Sequence, residues 1–189
     1  SRIASHFGLK GISEDVAIKT THKGLRSEAL RDAKIPIPHF FRLKRPELPD
    51  LEFPFVVKPS DSSGSRGVCQ VRNEDEFFSA FKECSSISSD REVVAEVLEA
   101  GIEISIEGFV LEEKLLVTGI AERHFAPLEE TYPGFLEYGG TIPPSFSKKY
   151  VKDAKKVFAD ACSALGIKEG PTKGDLILTS EGVKVLEIT

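Results

Sequence analysis

Residues 102–125, IEISIEGFVLEEKLLVTGIAERHF, limit the possible folds more than any other stretch. Ile102, Ile104 and Ile106 alternate against Glu103, Ser105 and Glu107, the period of two that gives a strand one dry face and one wet face. A turn is expected near Glu112 to Lys114, after which a second strand runs back. The chain finishes in the same way, with GDLILT and VKVLEIT flanking SEG. Strands joined by turns this short pair antiparallel, because a parallel neighbour needs a crossover of about a dozen residues or more.

Around these hairpins the period changes. SEDVAIKTTHKGLRSEALRDAKI carries Leu25, Ala29, Leu30 and Ala33 at helical spacing, with Thr20 or Thr21 as N-cap, and stops at IPIP, where proline forbids continuation. HFFRL, FPFVVKP and GVCQV read as short strands, the last two flanking a glycine- and serine-rich loop as a hairpin. Asn73 followed by Glu76 marks a helix start, and Phe77, Phe78, Ala80, Phe81 and Cys84 give that helix a buried stripe. REVVAEVLEAG reads as another strand. Residues 124–147, rich in proline, glycine and aromatics, read as an ordered loop region of the kind that lines a site. Ser147 is expected to cap a long helix whose Val151, Ala154, Val157, Phe158, Ala161, Cys162 and Leu165 fall on one stripe, closed by Gly166. Helices among antiparallel strands define an α+β chain.

With 189 residues, 40% hydrophobic and 29% charged, the composition is that of an ordinary globular protein of one domain, or of one domain with two lobes. A net charge of −5 with scattered lysines and arginines lacks the basic footprint of a nucleic-acid binder. No apolar stretch approaches the roughly 20 residues of a membrane span, and no signal peptide opens the chain. Cys69, Cys84 and Cys162, odd in number and set in apolar patterns, read as buried thiols of a reducing compartment, so a cytoplasmic location is expected. The absent initiator Met and the strand-like end point to a piece of a longer chain. His6, His22, His39 and His124 show no metal-ligand spacing.

Two features carry chemistry. In KPSDSSGSRGV, residues 58–68, Lys58 ends an apolar run, and Ser63, Gly64, Ser65 and Gly67 follow in a loop without large apolar side chains. Gly64 and Gly67 permit the positive φ angles that converge backbone N–H groups on an anion. A solvent-exposed hairpin turn fits this stretch equally well, and neither the P-loop nor the GxGxxG pattern is present. In the C-terminal hairpin, Asp175 and Glu187 can meet side by side on one face. Two carboxylates presented together repel unless a cation sits there, and Mg2+ prefers a few carboxylates plus phosphate oxygens. Exposure of both on the wet face of the sheet is the other reading.

Taken together, Lys23 ahead of IPIP, FPFVVKP with its loop, AEVLEAGIE and GDLILTSEGVKVLEIT resemble the ATP-grasp superfamily over nearly the whole chain. The likeness is nearest to the carbamoyl phosphate synthase large subunit and the L-amino acid ligases. IASHFGLKGIS is similar to the segment that leads from the N-terminal domain of such proteins into the nucleotide-binding core. The resemblance implies a two-lobe α+β fold of antiparallel sheets and helices, with the nucleotide between the lobes. Residues 1–35 would be the lead-in segment and helix, 36–98 the lid lobe and 99–189 the core lobe with its metal-binding hairpin. The N-terminal domain and the C-terminal end of the family would be absent.

The same resemblance implies the site. Lys23 and Lys58 would hold the α and β phosphates of ATP, and the loop from Ser60 to Gly67, with Ser63, Gly64 and Ser65, would close over the β and γ phosphates. Glu96 would accept from the adenine amino group while the backbone at Val97 and Leu98 reads the base edge, and Glu103 would accept from the ribose hydroxyls. Asp175 and Glu187 would ligate Mg2+. Lys173 would stabilise the transferred phosphoryl group or the tetrahedral intermediate. Arg123 or His124 is the candidate for a further basic residue, a surface pair being the alternative. Thr189 stands where the family carries Asn, and a threonine hydroxyl is a weaker Mg2+ ligand than an amide carbonyl.

The implied activity is that of an ATP-dependent ligase joining a small-molecule carboxylate to an amine through an acyl phosphate, with ATP and Mg2+. Carboxyphosphate chemistry, as in carbamoyl phosphate synthesis or biotin carboxylation, and a catalytically silent nucleotide-binding module are the alternatives. The acid, the acceptor and the oligomeric state are not readable from the residues.

Overall fold

The alternating run at 102–125 forms the hairpin its period demands. A computed structural model describes every residue from Ser1 to Thr189. Its elements are α1 (Arg2–His6), α2 (Glu14–Thr21), α3 (Lys23–Asp32), β1 (Phe40–Leu43), β2 (Phe55–Pro59), β3 (Cys69–Val71), α4 (Glu74–Ile87) and β4 (Val93–Val97). There follow β5 (Ile102–Leu111), β6 (Lys114–Phe125), α5 (Leu128–Thr131), β7 (Glu137–Thr141), α6 (Lys148–Leu165), β8 (Gly170–Thr179) and β9 (Gly182–Ile188). They make two compact units, one of Ser1–Ile37, Ala100–His124 and Gly140–Thr189, the other of Pro38–Glu99 and Phe125–Gly139.

The first unit is built on a sheet ordered β7-β6-β5-β8-β9, in which β5 pairs antiparallel with β6 and β8, and β8 with β9. Ile104 and Ile106 of β5 are fully buried against Ala154, Phe158, Ala161 and Leu165 of α6. Ile102, at the strand's start, stays 38% exposed despite its place in the alternation. The turn between β5 and β6 puts Glu112 and Glu113 at φ of 49° and 64°, a conformation usually left to Gly or Asn. Residues 168–169 hold it there: Glu112 N donates to Glu169 Oε2, Glu113 N to Lys168 O, and Lys168 Nζ to Glu113 Oε1. Gly166 ends α6 in the left-handed region at φ 81°, as expected of a glycine C-cap. Ser147 is the N-cap residue of α6, but its hydroxyl makes no capping bond.

The helix expected before IPIP is α3, and a second helix, α2, precedes it. Ser13 caps α2 through Val16 N, and His22, in an extended conformation, caps α3 by accepting from Leu25 N through Nδ1. Neither Thr20 nor Thr21 is the cap. Both hydroxyls bond back to Ala17 O, which competes with the helical ladder and ends the first helix there.

The second unit is a four-stranded antiparallel sheet ordered β1-β4-β2-β3. Phe55, Val57, Val71, Val93 and Ala95 project from one of its faces into a core with Phe77, Ala80, Phe81 and Cys84 of α4. Asn73 caps α4 as its sequence implies, accepting from Glu76 N at 3.0 Å, while Glu76 Oε2 accepts from Arg72 N at 2.7 Å. Residues 124–147 are less irregular than expected, since they contain α5 and β7. No helix is long and apolar enough to cross a membrane.

Candidate functional site

In the first unit the charged residues gather on the sheet face turned away from α6. Ser105 is paired with Asp175, Glu107 with Lys173, and Asp175 with Glu187, so Glu103, Ser105, Lys173, Asp175 and Glu187 share that face. The side-by-side placement of Asp175 and Glu187 is thus met, immediately before a bulge between Asp175 and Leu176. Arg123 Nη1 stands 3.4 Å from Glu103 Oε2 and 3.4 Å from Asp175 Oδ1. Lys173 Nζ donates to Asp175 Oδ2 at 3.1 Å and lies 3.0 Å from Oδ1. Neither cation reaches Oδ1 at a hydrogen-bonding angle, so this buried oxygen keeps an unused lone pair although its charge is answered. His124 is turned elsewhere, with Nε2 against Thr141 Oγ1 at 2.7 Å.

Glu187 is held from behind by a residue the sequence did not single out. Arg26, 1% exposed on α3, donates to Thr20 O at 3.0 Å and Leu186 O at 3.3 Å and approaches Glu187 Oε1 at 3.4 Å. Lys23, one turn earlier on the same helix, is 5% exposed. Thr189 is bound through its backbone, exchanging bonds with Lys173, and its carbonyl also accepts from Thr172 Oγ1.

In the second unit Lys58 and Glu96 lie on the face opposite α4. Val56 pairs with Glu96 and Lys58 with Val94, and the alternation puts Val56, Lys58 and Glu96 on one side. Both charged side chains are buried, and Lys58 Nζ donates to Glu96 Oε1. The separate roles expected of them therefore start from a mutual ion pair. The amide of Val97 donates to His39 O, so that group is not offered to a base edge; Leu98, next along, is half-buried beyond the end of β4.

Residues 60–67 combine an anchored base with a projecting tip. Ser60 is fully buried, its amide donating to Ser88 Oγ and its hydroxyl to Asp90 Oδ1. Ser63, Gly64, Ser65 and Arg66 are exposed. Gly64, Ser65 and Gly67 take φ of 64°, 56° and 76°, the left-handed turns from which anion-binding nests are made. At Gly67 a Cβ would also fall 2.7 Å from Ile87 Cδ1 and 2.9 Å from Pro59 Cγ, so only glycine fits. Residues 125–139 clip to the edge of β3. Gln70 N donates to Pro133 O, the Arg72 guanidinium lies 3.7 Å over the Tyr132 ring, and Tyr132 OH bonds to Glu76. That bond holds the Glu76 carboxyl below its usual range, and burial together with Glu76 pushes Tyr132 up to about 12.

The donor set of the first unit fits a hard divalent cation: two adjacent carboxylates, one with a buried oxygen that nothing hydrogen-bonds. Two antiparallel α+β units, one carrying that acidic hairpin and the other a buried lysine at the root of a glycine-serine loop, define the ATP-grasp class of fold. Residues 51–189 match the ATP-grasp domain, and the chain belongs to that family. It is 30% identical over 200 residues to a D-alanine–D-alanine ligase of Geotalea uraniireducens, covering 95% of this chain and 62% of that one. A D-alanine–D-alanine ligase of Prochlorococcus marinus is 33% identical over 145 residues, covering 74% and 39%. Among solved structures, the VanG D-Ala:D-Ser ligase of Enterococcus faecalis superposes with a TM-score of 0.87 at 19% identity, over 100% of this chain and 58% of that one. The L-amino acid ligase of Bacillus licheniformis does so with a TM-score of 0.80 at 22% identity, over 99% and 44%. The chain thus spans less than two thirds of the length of these relatives.

Proposed function

We propose that this chain is the ATP-binding part of an ATP-dependent carboxylate–amine ligase. The observation that carries the reading is the hairpin pairing of Asp175 with Glu187, with an unbonded Asp175 oxygen beside Lys173 and Arg123. In this reading the second unit, Pro38–Glu99 with Phe125–Gly139, is the lid lobe, and the first unit is the core lobe.

Lys58 and Lys23 bind the phosphates of ATP, and the loop to Gly67 covers them with its backbone amides. Binding exchanges the Lys58–Glu96 pair for ligand contacts: the ammonium turns to phosphate oxygens and the freed carboxylate accepts from the adenine amino group. Glu103 accepts from the ribose hydroxyls. Asp175 and Glu187 hold Mg2+, which when bound neutralises phosphate charge and draws electron density from the phosphorus. Lys173 and Arg123 then answer the charge that gathers on the transferred phosphoryl oxygens, with no protein nucleophile needed.

The substrate carboxylate becomes an acyl phosphate, which an amine attacks. The curated relatives are named for joining two alanines, which favours a small amino acid as the acid and another as the amine over carboxyphosphate chemistry. The three free cysteines suit a reducing compartment such as the cytoplasm. The test is ADP release by the full-length protein across a panel of amino acids with ATP and Mg2+. Release is expected to depend on the amino acid, and Lys58→Ala or Glu187→Ala is expected to lower it by at least about 100-fold. Unchanged turnover in either variant contradicts the assignment.

A further inference from the structure

In the first unit, the sheet face that carries Asp175 continues past Lys173 into side chains that the proposed phosphoryl chemistry does not use. Glu107 is the register partner of Lys173. One step further along the same face, Phe109 of β5 stands between Leu116 of β6 and Pro171 of β8. Gly108 fixes the direction: a Cβ there would meet Leu115 Cδ1 and Phe158 Cε1 on the α6 side, so Phe109 projects the other way. Phe109 is 44% exposed and Leu116 67%, and Pro171 is exposed beside them. Three apolar side chains open to solvent in one row, bordered by a row of opposite charges, suit a ligand that is apolar at one end and zwitterionic at the other.

We propose that the row Leu116–Phe109–Pro171 reads the side chain of the acid substrate, an amino acid whose side chain is apolar and longer than a methyl group. The inference rests on the ligase reading, in which the acid's carboxylate must come to the transferred phosphoryl group beside Lys173. An ammonium has three donors, and Lys173 gives one to Asp175 Oδ2 while its side chain stays partly exposed, so it can still bind a second carboxylate. The exposed Glu107 carboxylate, across from it on β5, answers the substrate's α-ammonium.

The spacing selects the length of the side chain. Residues two apart on a strand lie roughly 7 Å apart, so a substrate headed between Lys173 and Glu107 lays its side chain along the strand toward Phe109. The methyl of alanine falls short of the row, whereas the branched chain of leucine covers it and takes apolar surface out of water. A carboxylate or hydroxyl in the same place would lose its hydration against three groups that offer no hydrogen bond.

The test is ADP release by the full-length protein with ATP, Mg2+ and hydroxylamine in place of the amine, so that the protein selects only the acid. Alanine, valine, leucine, serine and aspartate are compared, each as both enantiomers. Valine or leucine is expected to exceed serine and aspartate in kcat/KM by at least about tenfold in one enantiomer. Leu116→Gln is expected to lower the ratio of leucine to alanine at least several-fold. Glu107→Gln is expected to raise KM for leucine more than for 2-hydroxy-4-methylpentanoate, which lacks the ammonium. Binding of ATP with Mg2+ is read on the same wild-type sample. Bound ATP with a profile indifferent to side-chain polarity overturns this inference alone, whereas no bound ATP overturns the ligase reading and this inference with it. An unchanged leucine-to-alanine ratio in Leu116→Gln also overturns it, and a lower melting temperature or altered oligomeric state in that variant would then mean that protein, not substrate, covers the row.

Discussion

Arg26 shows why some functional residues escape a reading by pattern. In KGLRSEALRD it looks like one charge of a solvated helix face, yet it is 1% exposed because β9, distant in sequence, lies over it. Only the folded chain brings Leu186 O and Glu187 to its guanidinium. Glu187 is more than a third exposed, so solvent screens the pair, whose own contribution is about 1 kcal/mol or less. The bonds to two backbone carbonyls matter more: removing the donors leaves them unsatisfied at a cost of about 1–3 kcal/mol. Arg26→Met is therefore expected to lower stability in urea by about 2 kcal/mol, and Glu187→Gln by under about 1 kcal/mol. Equal losses in the two variants would mean that the pair, not the carbonyl bonds, holds Arg26. Tyr132 supplies a pH signature at the same scale. Its folded value, about 12, lies above the ordinary 10.0, so its contribution to stability is fully present below about pH 10 and is lost as pH rises through 12. A titration of tyrosinate absorbance should show one late-ionising phenol that Tyr132→Phe removes; an unchanged late phase places it on another tyrosine.

At the scale of elements, short-range pattern sufficed wherever a segment's own alternation or cap decided its conformation. The β5–β6 and β8–β9 hairpins, the Asn73 cap of α4 and the Gly166 end of α6 are all local, and all were legible. The His22 cap of α3 was not, because imidazole is an uncommon N-cap and two threonines, commoner in that role, stand just ahead of it. The hydrogen bond from the Val97 amide to His39 O was hidden for another reason: it crosses between strands whose pairing no local pattern announces. The loop 60–67 gives this scale its prediction. Its base is fixed through Ser60, and its tip, including Arg66, is exposed. Brief trypsin treatment should cut first after Arg66, and ATP with Mg2+ should slow that cut at least several-fold, since a loop closed over a ligand is a poor protease substrate. Cleavage at Arg66 that nucleotide leaves unaltered speaks against a phosphate-covering role.

For the whole molecule, the family was readable because its motifs come in a fixed order along one chain, each weak alone. The division into units was harder to see. Residues 125–139 belong with Pro38–Glu99, through bonds such as Gln70 N to Pro133 O and Tyr132 to Glu76, and nothing local in their sequence reports that partnership. The acidic pair, the buried lysines and the glycine-serine loop converge on one claim, that the protein binds ATP through its phosphates with metal help. Equilibrium binding of ATP to the full-length protein, with and without Mg2+, tests it most directly. Binding is expected to tighten at least about tenfold with Mg2+ in the wild type, and Asp175→Asn together with Glu187→Gln is expected to erase that gain while metal-free binding persists. A folded wild-type protein that binds no ATP in either condition would contradict the claim outright.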